Sequence, residues 1–165
     1  MTGIVVSDAG PLIALGRIEK LNLLKHLYQN VLIPTAVHSE LRCGADLPGA
    51  TALQKAISDG WIGVQSVSTS AKELSELQLI LDVGESQAIV LAELVHCRFL
   101  LMDERRGRQV AKKRGLTVIG IAGVLLAAKS GGLIETVSPV LNMLSQEGYR
   151  LSNSLIAEIL KIAEE

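Results

Sequence analysis

The sequence predicts an α/β fold: a small, mainly parallel sheet flanked by helices. Three observations carry this. Short apolar runs at residues 4–7, 31–33 and 98–102 are bounded by turn or polar residues, as buried strands of a parallel sheet are. Segments with helical stripes alternate with those runs along the chain. The 165 residues are 48% hydrophobic but only 2% aromatic, enough for one domain with an aliphatic core.

The elements follow in order. Residues 4–7 form the first strand. Pro11 suits the first turn of a helix, so 12–16 is expected to be a short one. Leu21, Leu23, Leu24 and Leu27 carry a second helical stripe. Residues 31–33 are a strand, and Pro34 opens a helix to about residue 42. Leu47-Pro48-Gly49 is a turn before a helix over 50–58, and Asp59-Gly60 turns into an edge-like strand over 61–67. Helices over 72–81 and 85–95 are separated by Asp82-Val83-Gly84. Residues 98–102 form a strand, 105–114 a helix ended by Gly115, and 116–119 the last strand. A helix over 121–129 closes at Gly131-Gly132, and 135–146 and 152–163 are amphipathic helices. No linker or repeat divides the chain, so residues 1–165 are expected to form a single domain.

Composition excludes several functions. A net charge of −1 exerts no global pull on nucleic acid, and the scarcity of rings argues against binding single strands by base stacking. Cys43 and Cys97 lack metal or redox spacing and are expected to be buried thiols in a reducing cytoplasm. The start, Met1-Thr2-Gly3-Ile4, has no basic leader, and the longest apolar stretch, 118–128, is shorter than the ~20 residues a bilayer requires. His26, His38 and His96 have no zinc spacing and are expected on helix faces. Gly84-Glu85-Ser86-Gln87-Ala88 approaches a nucleophile elbow, but a helix precedes it and Ala88 replaces the second glycine. No dinucleotide or Walker loop occurs.

The carboxylates are more informative. Ile4-Val5-Val6-Ser7 runs into Asp8, and Phe99-Leu100-Leu101-Met102 runs into Asp103. Ligands of parallel sheets bind at the carboxyl ends of strands. If these two strands are neighbours, Asp8 and Asp103 share one edge, where their mutual repulsion suits a cation. The alternative is that each merely caps the turn or helix after it. Glu85 opens a helix behind Gly84, which permits close backbone approach; a helix-dipole role alone is the alternative. Asp82 competes with Glu85 but is expected to be a cap-region residue. Glu40 lies some way into its helix, about 9 Å along the axis. Local reasoning leaves it solvated beside an arginine.

Taken in order, these motifs resemble the PIN-domain family, in particular toxin ribonucleases of the VapC type and a poorly characterised PIN-like branch. The resemblance rests on Val6-Ser7-Asp8-Ala9-Gly10-Pro11-Leu12, Ile33-Pro34 with Glu40-Leu41, Gly84-Glu85-Ser86-Gln87-Ala88-Ile89 and Leu101-Met102-Asp103-Glu104-Arg105-Arg106. Gly120-Ile121-Ala122-Gly123 and Gly132-Leu133-Ile134 extend it over nearly the whole chain.

It implies a three-layer PIN-like fold and a Mg²⁺- or Mn²⁺-dependent nuclease, with Asp8, Glu40, Glu85 and Asp103 as catalytic and metal-binding acids. It brings in Glu40, which local reasoning does not. Ser7 would support the site. RNA is the implied substrate, and a toxin role with a cognate antitoxin protein follows from the same likeness. Toxin-type members carry a small polar residue two positions after the first acid, where this chain has Gly10.

Arg105 and Arg106, just after Asp103, are candidates for phosphate contacts; an ordinary solvated helix face is the alternative. The C-terminal helices could form a homodimer face or receive an antitoxin segment, or belong to the domain's own core. A PIN-like scaffold that binds a protein or nucleic acid without cutting it is the rival reading of the whole chain.

Overall fold

The apolar runs form β1 (Val5–Ser7), β2 (Val31–Pro34), β3 (Ile62–Gln65), β4 (Phe99–Leu101) and β5 (Val118–Ile119). The computed structural model describes residues 3–68 and 71–165. Its strands make one parallel sheet in the order β3-β2-β1-β4-β5, so the expected edge strand near residue 62 is indeed an edge. The central strand, β1, pairs Val5 with Val31 of β2 on one side and Ser7 with Leu101 of β4 on the other. All three β1 residues and all three β4 residues are buried, because helices cover both faces.

The helices are α1 (Ala9–Arg17), α2 (Asn22–Tyr28), α3 (Thr35–Leu41), α4 (Ala50–Ser58), α5 (Ala71–Gln78), α6 (Val83–Leu94), α7 (Arg105–Lys113), α8 (Ile121–Ser130), α9 (Ser138–Gln146) and α10 (Asn153–Ile162). With the sheet they build a three-layer α/β fold. Helix α6 packs against β1, β2 and β4 and is flanked by α3, α5 and α7. Helices α2, α8 and α10 pack in succession.

From β1 the chain moves outward through β2 to β3, then returns to β4 on the other side of β1. The winding sense therefore reverses between β1 and β4. Open α/β sheets bind ligands at this switch point, outside the carboxyl ends of the strands.

Several boundaries differ from the sequence expectation for identifiable reasons. Helix α1 starts at Ala9 rather than residue 12, since Pro11 is tolerated within a first turn. Helix α6 starts at Val83, because Asp82 and Glu85 close a reciprocal capping box that carries Val83 and Gly84 into the helix. Helix α9 starts at Ser138 rather than residue 135, with Pro139 in its first turn. Its free N–H groups find an unexpected partner: the Glu165 carboxylate accepts from Val137 N at 2.8 Å and Ser138 N at 3.0 Å. Lys129 Nζ holds the same carboxylate at 3.0 Å.

One glycine is demanded by packing. Gly49 precedes α4 at φ 84°, and a Cβ there would lie 2.6 Å from the carbonyl carbon of Gly16 in α1.

Ile159 of α10 is buried, and Leu155, Ile156 and Leu160 pack half-buried against the core. That stripe belongs to the domain's own interior. Cys43 and Cys97 are free and half-buried rather than fully buried. His96 lies beyond the end of α6 at φ 50°, not on a helix face. Among the described residues no helix is long and apolar enough to cross a membrane. Met1 and Thr2 lie outside the described residues.

Candidate active site

Asp8 directly follows β1, and its backbone N–H continues the ladder by donating to the Leu101 carbonyl of β4 at 2.9 Å. The strands ending in Asp8 and Asp103 are therefore parallel neighbours flanking the switch point. Ser7, fully buried, donates its hydroxyl to the Asp8 carbonyl at 2.8 Å. It supports the backbone of Asp8 and not the carboxylate.

Neither aspartate side chain makes a capping hydrogen bond to the helix that follows it, although Asp8 occupies the N-cap position of α1. The Asp8 side chain makes no cap hydrogen bond to α1. At α7 the cap is Glu104, whose carboxylate accepts from Arg106 N at 3.1 Å and Gly107 N at 2.6 Å. Asp103 instead reaches across to the start of α8, where Ile121 N donates to its two oxygens at 3.1 and 3.2 Å. The Tyr149 hydroxyl donates to the same carboxylate.

Glu40 and Glu85 come together although 45 positions of sequence separate them. Helices α3 and α6 pack side by side. Gln87 of α6 locks the pair: its Oε1 accepts from Ala36 N at 3.1 Å and from the Thr35 hydroxyl at 3.4 Å, capping α3. Gly84 then decides how close Glu40 lies. A Cβ on residue 84 would stand 1.9 Å from Glu40 Oε1, so the carboxylate occupies the space a side chain would take. Gly84→Ala should fold, because the displaced atom ends a flexible side chain. It should push Glu40 aside and, on the divalent-cation reading proposed below, weaken Mn²⁺ binding by about tenfold or more. A calorimetric Mn²⁺ titration equal to that of the parent would show that the position of Glu40 is immaterial.

Asp8, Glu40 and Glu85 share one electrostatic neighbourhood with Asp82, whereas Asp103 answers to Tyr149, Ile121 and Arg108. Asp8 is 8% exposed, and burial pushes its carboxyl up to about 7, with the charges of Glu40, Asp82 and Glu104 adding and the Ala9 N–H opposing. Glu85 is also raised to about 7, first by burial and then by Asp82, Asp8 and Glu104. Glu40, exposed at the mouth, is raised by partial desolvation and by the charges of Asp82 and Glu85. Asp103 is raised by burial, which outweighs its bonds to Tyr149 and Ile121 and the nearby Arg108. Among the described residues, none of Asp8, Glu40, Asp82, Glu85 and Glu104 forms an ion pair. These acids thus crowd together with no ion-pair partner, which favours their protonated forms in the absence of a cation.

Sequence reasoning weighs Asp82 only as a cap and misses Glu104 and Tyr149. Asp82 caps α6 as expected, yet its charge also acts on Asp8, Glu40 and Glu85. The Asp82-x-x-Glu85 spacing was the available signal for the cap. Glu104 adds to the same field. Tyr149 stands 46 residues from its partner Asp103, and no local pattern announces it. Arg105 and Arg106 are exposed on the first turn of α7, beside this edge.

The donor set suits a hard divalent cation: it is all carboxylate oxygen and partly desolvated, with Arg108 acting on Asp103 alone. Among the described residues no three His, Cys, Asp or Glu side chains are already gathered as a metal site.

A family model described as PIN domain matches residues 4–165. No protein of curated function matches the chain.

Proposed function

The chain belongs to the PIN-domain family, and on that premise we propose that it is a Mg²⁺- or Mn²⁺-dependent nuclease that hydrolyses phosphodiester bonds, with RNA as substrate. The observation that carries the proposal is a group of neighbouring acids without ion-pair partners. Asp8, Glu40 and Glu85 raise one another's pKa at the β1–β4 switch point, and no cationic side chain pairs with any of them. A structural role would not require that arrangement, and it opposes stability.

Asp8 and Asp103 are the primary residues to hold the ion, with Glu85 and Glu40 completing the set. When bound, the ion supplies Lewis acidity toward a phosphate oxygen and lowers the pKa of a coordinated water. The protein's own groups do the rest. Glu85 and Glu40 orient the attacking water. Ser7 and the Asp8–Leu101 backbone bond keep Asp8 at the sheet edge. Arg105 and Arg106 bind the phosphates beside the cut.

The family resemblance extends the proposal to a cytoplasmic toxin restrained by a cognate antitoxin, with a homodimer as a further form of assembly. The rival reading is a PIN-like scaffold that binds a protein or nucleic acid without cutting it.

Cleavage of a mixed RNA pool in Mn²⁺ separates the two readings. The parent should cut, and Asp103→Asn should be slower by about a hundredfold or more, equivalent to ~3 kcal/mol of barrier. Equal cleavage by both places the activity elsewhere, and cleavage by neither supports the scaffold. A parallel DNA pool reports the sugar preference.

A further inference from the structure

We infer that Tyr149 is a positioning residue of the acidic site, fixing the Asp103 carboxylate for cation binding and making the α9–α10 connection part of that site. The inference rests on the divalent-cation reading proposed above.

Tyr149 is delivered to Asp103 by a rigid device. Helix α9 ends in a Schellman motif: Gly148, at φ 82°, donates its N–H to Ser145 O at 3.0 Å, and Tyr149 N donates to Leu144 O at 3.0 Å. The residue at position 149 is therefore set by the helix end and not by a free loop. The other end of α9 is held by the Glu165 carboxylate on Val137 N and Ser138 N. Pinned at both ends, α9 acts as a strut that presents the Tyr149 ring, half-buried, to the carboxyl edge of β4.

Asp103 is held from three directions. Ile121 N donates to both carboxylate oxygens, and the Tyr149 hydroxyl donates to Oδ2. Behind it, Arg108 Nη1 donates to the Met102 carbonyl at 2.8 Å, fixing the peptide that carries Asp103. On the remaining side a Cβ on residue 120 would come within 2.3 Å of Asp103 Oδ1, so Gly120 lets the carboxylate lie flush against the backbone.

A carboxylate offers about four lone-pair positions, and one amide and one hydroxyl do not exhaust them. Asp103 is thus held in one rotamer while lone pairs remain for a ligand. Holding a ligating carboxylate with outer hydrogen bonds is how metal sites gain affinity, because the rotamer entropy is lost before the ion arrives. A core tyrosine that merely needed a partner for its hydroxyl could take a backbone carbonyl. This one takes an acid at the switch point.

The test is Mn²⁺ affinity by titration calorimetry on the full chain, with the metal-free melting temperature recorded alongside. Tyr149→Phe keeps the ring and should melt within a few degrees of the parent. Its dissociation constant for Mn²⁺ should rise by about tenfold or more. Asp103→Asn/Tyr149→Phe should bind no more weakly than Asp103→Asn alone, since the tyrosine acts through the aspartate.

If Tyr149→Phe binds Mn²⁺ as the parent does while Asp8→Asn loses it, the positioning role is wrong and the cation site stands. Tighter binding by Tyr149→Phe also overturns it, by showing that the hydroxyl competes with the ion. If the parent itself binds no Mn²⁺, the cation reading and this inference fall together.

Discussion

Asp8→Asn should raise the melting temperature of the metal-free protein at about pH 8 by roughly 5–10 °C, while abolishing stabilisation by Mn²⁺. The first half follows from burial without a partner. Asp8 is 8% exposed, its neighbours Val5 and Val6 are wholly buried, and no ion pair reaches its carboxylate. Ionisation there is opposed by desolvation and by Glu40, Asp82 and Glu104, which hold its pKa near 7 against 3.8 for an ordinary aspartate. Each unit corresponds to about 1.4 kcal/mol, so the charged form costs on the order of 2–4 kcal/mol. An asparagine of the same shape removes that cost. The second half follows because the same charge is what a cation would bind. Thermal unfolding followed by circular dichroism, with and without millimolar Mn²⁺, checks both. A destabilised Asp8→Asn that still responds fully to Mn²⁺ would assign Asp8 to structure.

The pH profile of the metal-free protein should run opposite to the usual acid-labile pattern. Asp8 and Glu85 have folded pKa values near 7, above their ordinary 3.8 and 4.5. Between those limits the folded state holds protons that the unfolded chain has released, so stability falls as pH rises. Their contribution is complete at acid pH below the unfolded values and is lost as pH climbs through about 7. Asp59 and Glu165, whose carboxyls are held lower by Lys55 and by the Val137 N–H, titrate below that window with the opposite sign. The melting temperature should therefore decline from about pH 5 to about pH 8 without metal, and Mn²⁺ should restore it increasingly toward the alkaline end. A metal-free melting temperature that rises over this range would contradict the raised carboxyls.

Much of the candidate site is legible in the sequence, and the reasons are physical. Two apolar strands that each run into an aspartate admit few arrangements in a parallel sheet. The strand order 3-2-1-4-5 places both at the switch point. Glu85 was legible as an acid behind a glycine at a helix start, although the capping box with Asp82 moved that start to Val83.

Glu40 was not legible locally. Its place depends on α3 lying against α6, on Gln87 capping α3, and on an empty Cβ position at Gly84. No spacing within residues 34–42 encodes any of these. Tyr149 was still less accessible, since its meeting with Asp103 requires α9 to be pinned by Glu165 and ended by Gly148. The apolar stripe of α10 was ambiguous between a partner face and the core until Ile159 was seen to be buried. Periodicity reports which residues want burial, and only tertiary packing decides against what.

We propose that the acids around β1 and β4 form a divalent-cation site. Titration calorimetry of Mn²⁺ into the parent and into Asp8→Asn/Asp103→Asn, at about pH 8 where the carboxyls are ionised, tests it most directly. The parent should show a saturable isotherm that the double variant, still folded, lacks. Identical isotherms for the two proteins would contradict it.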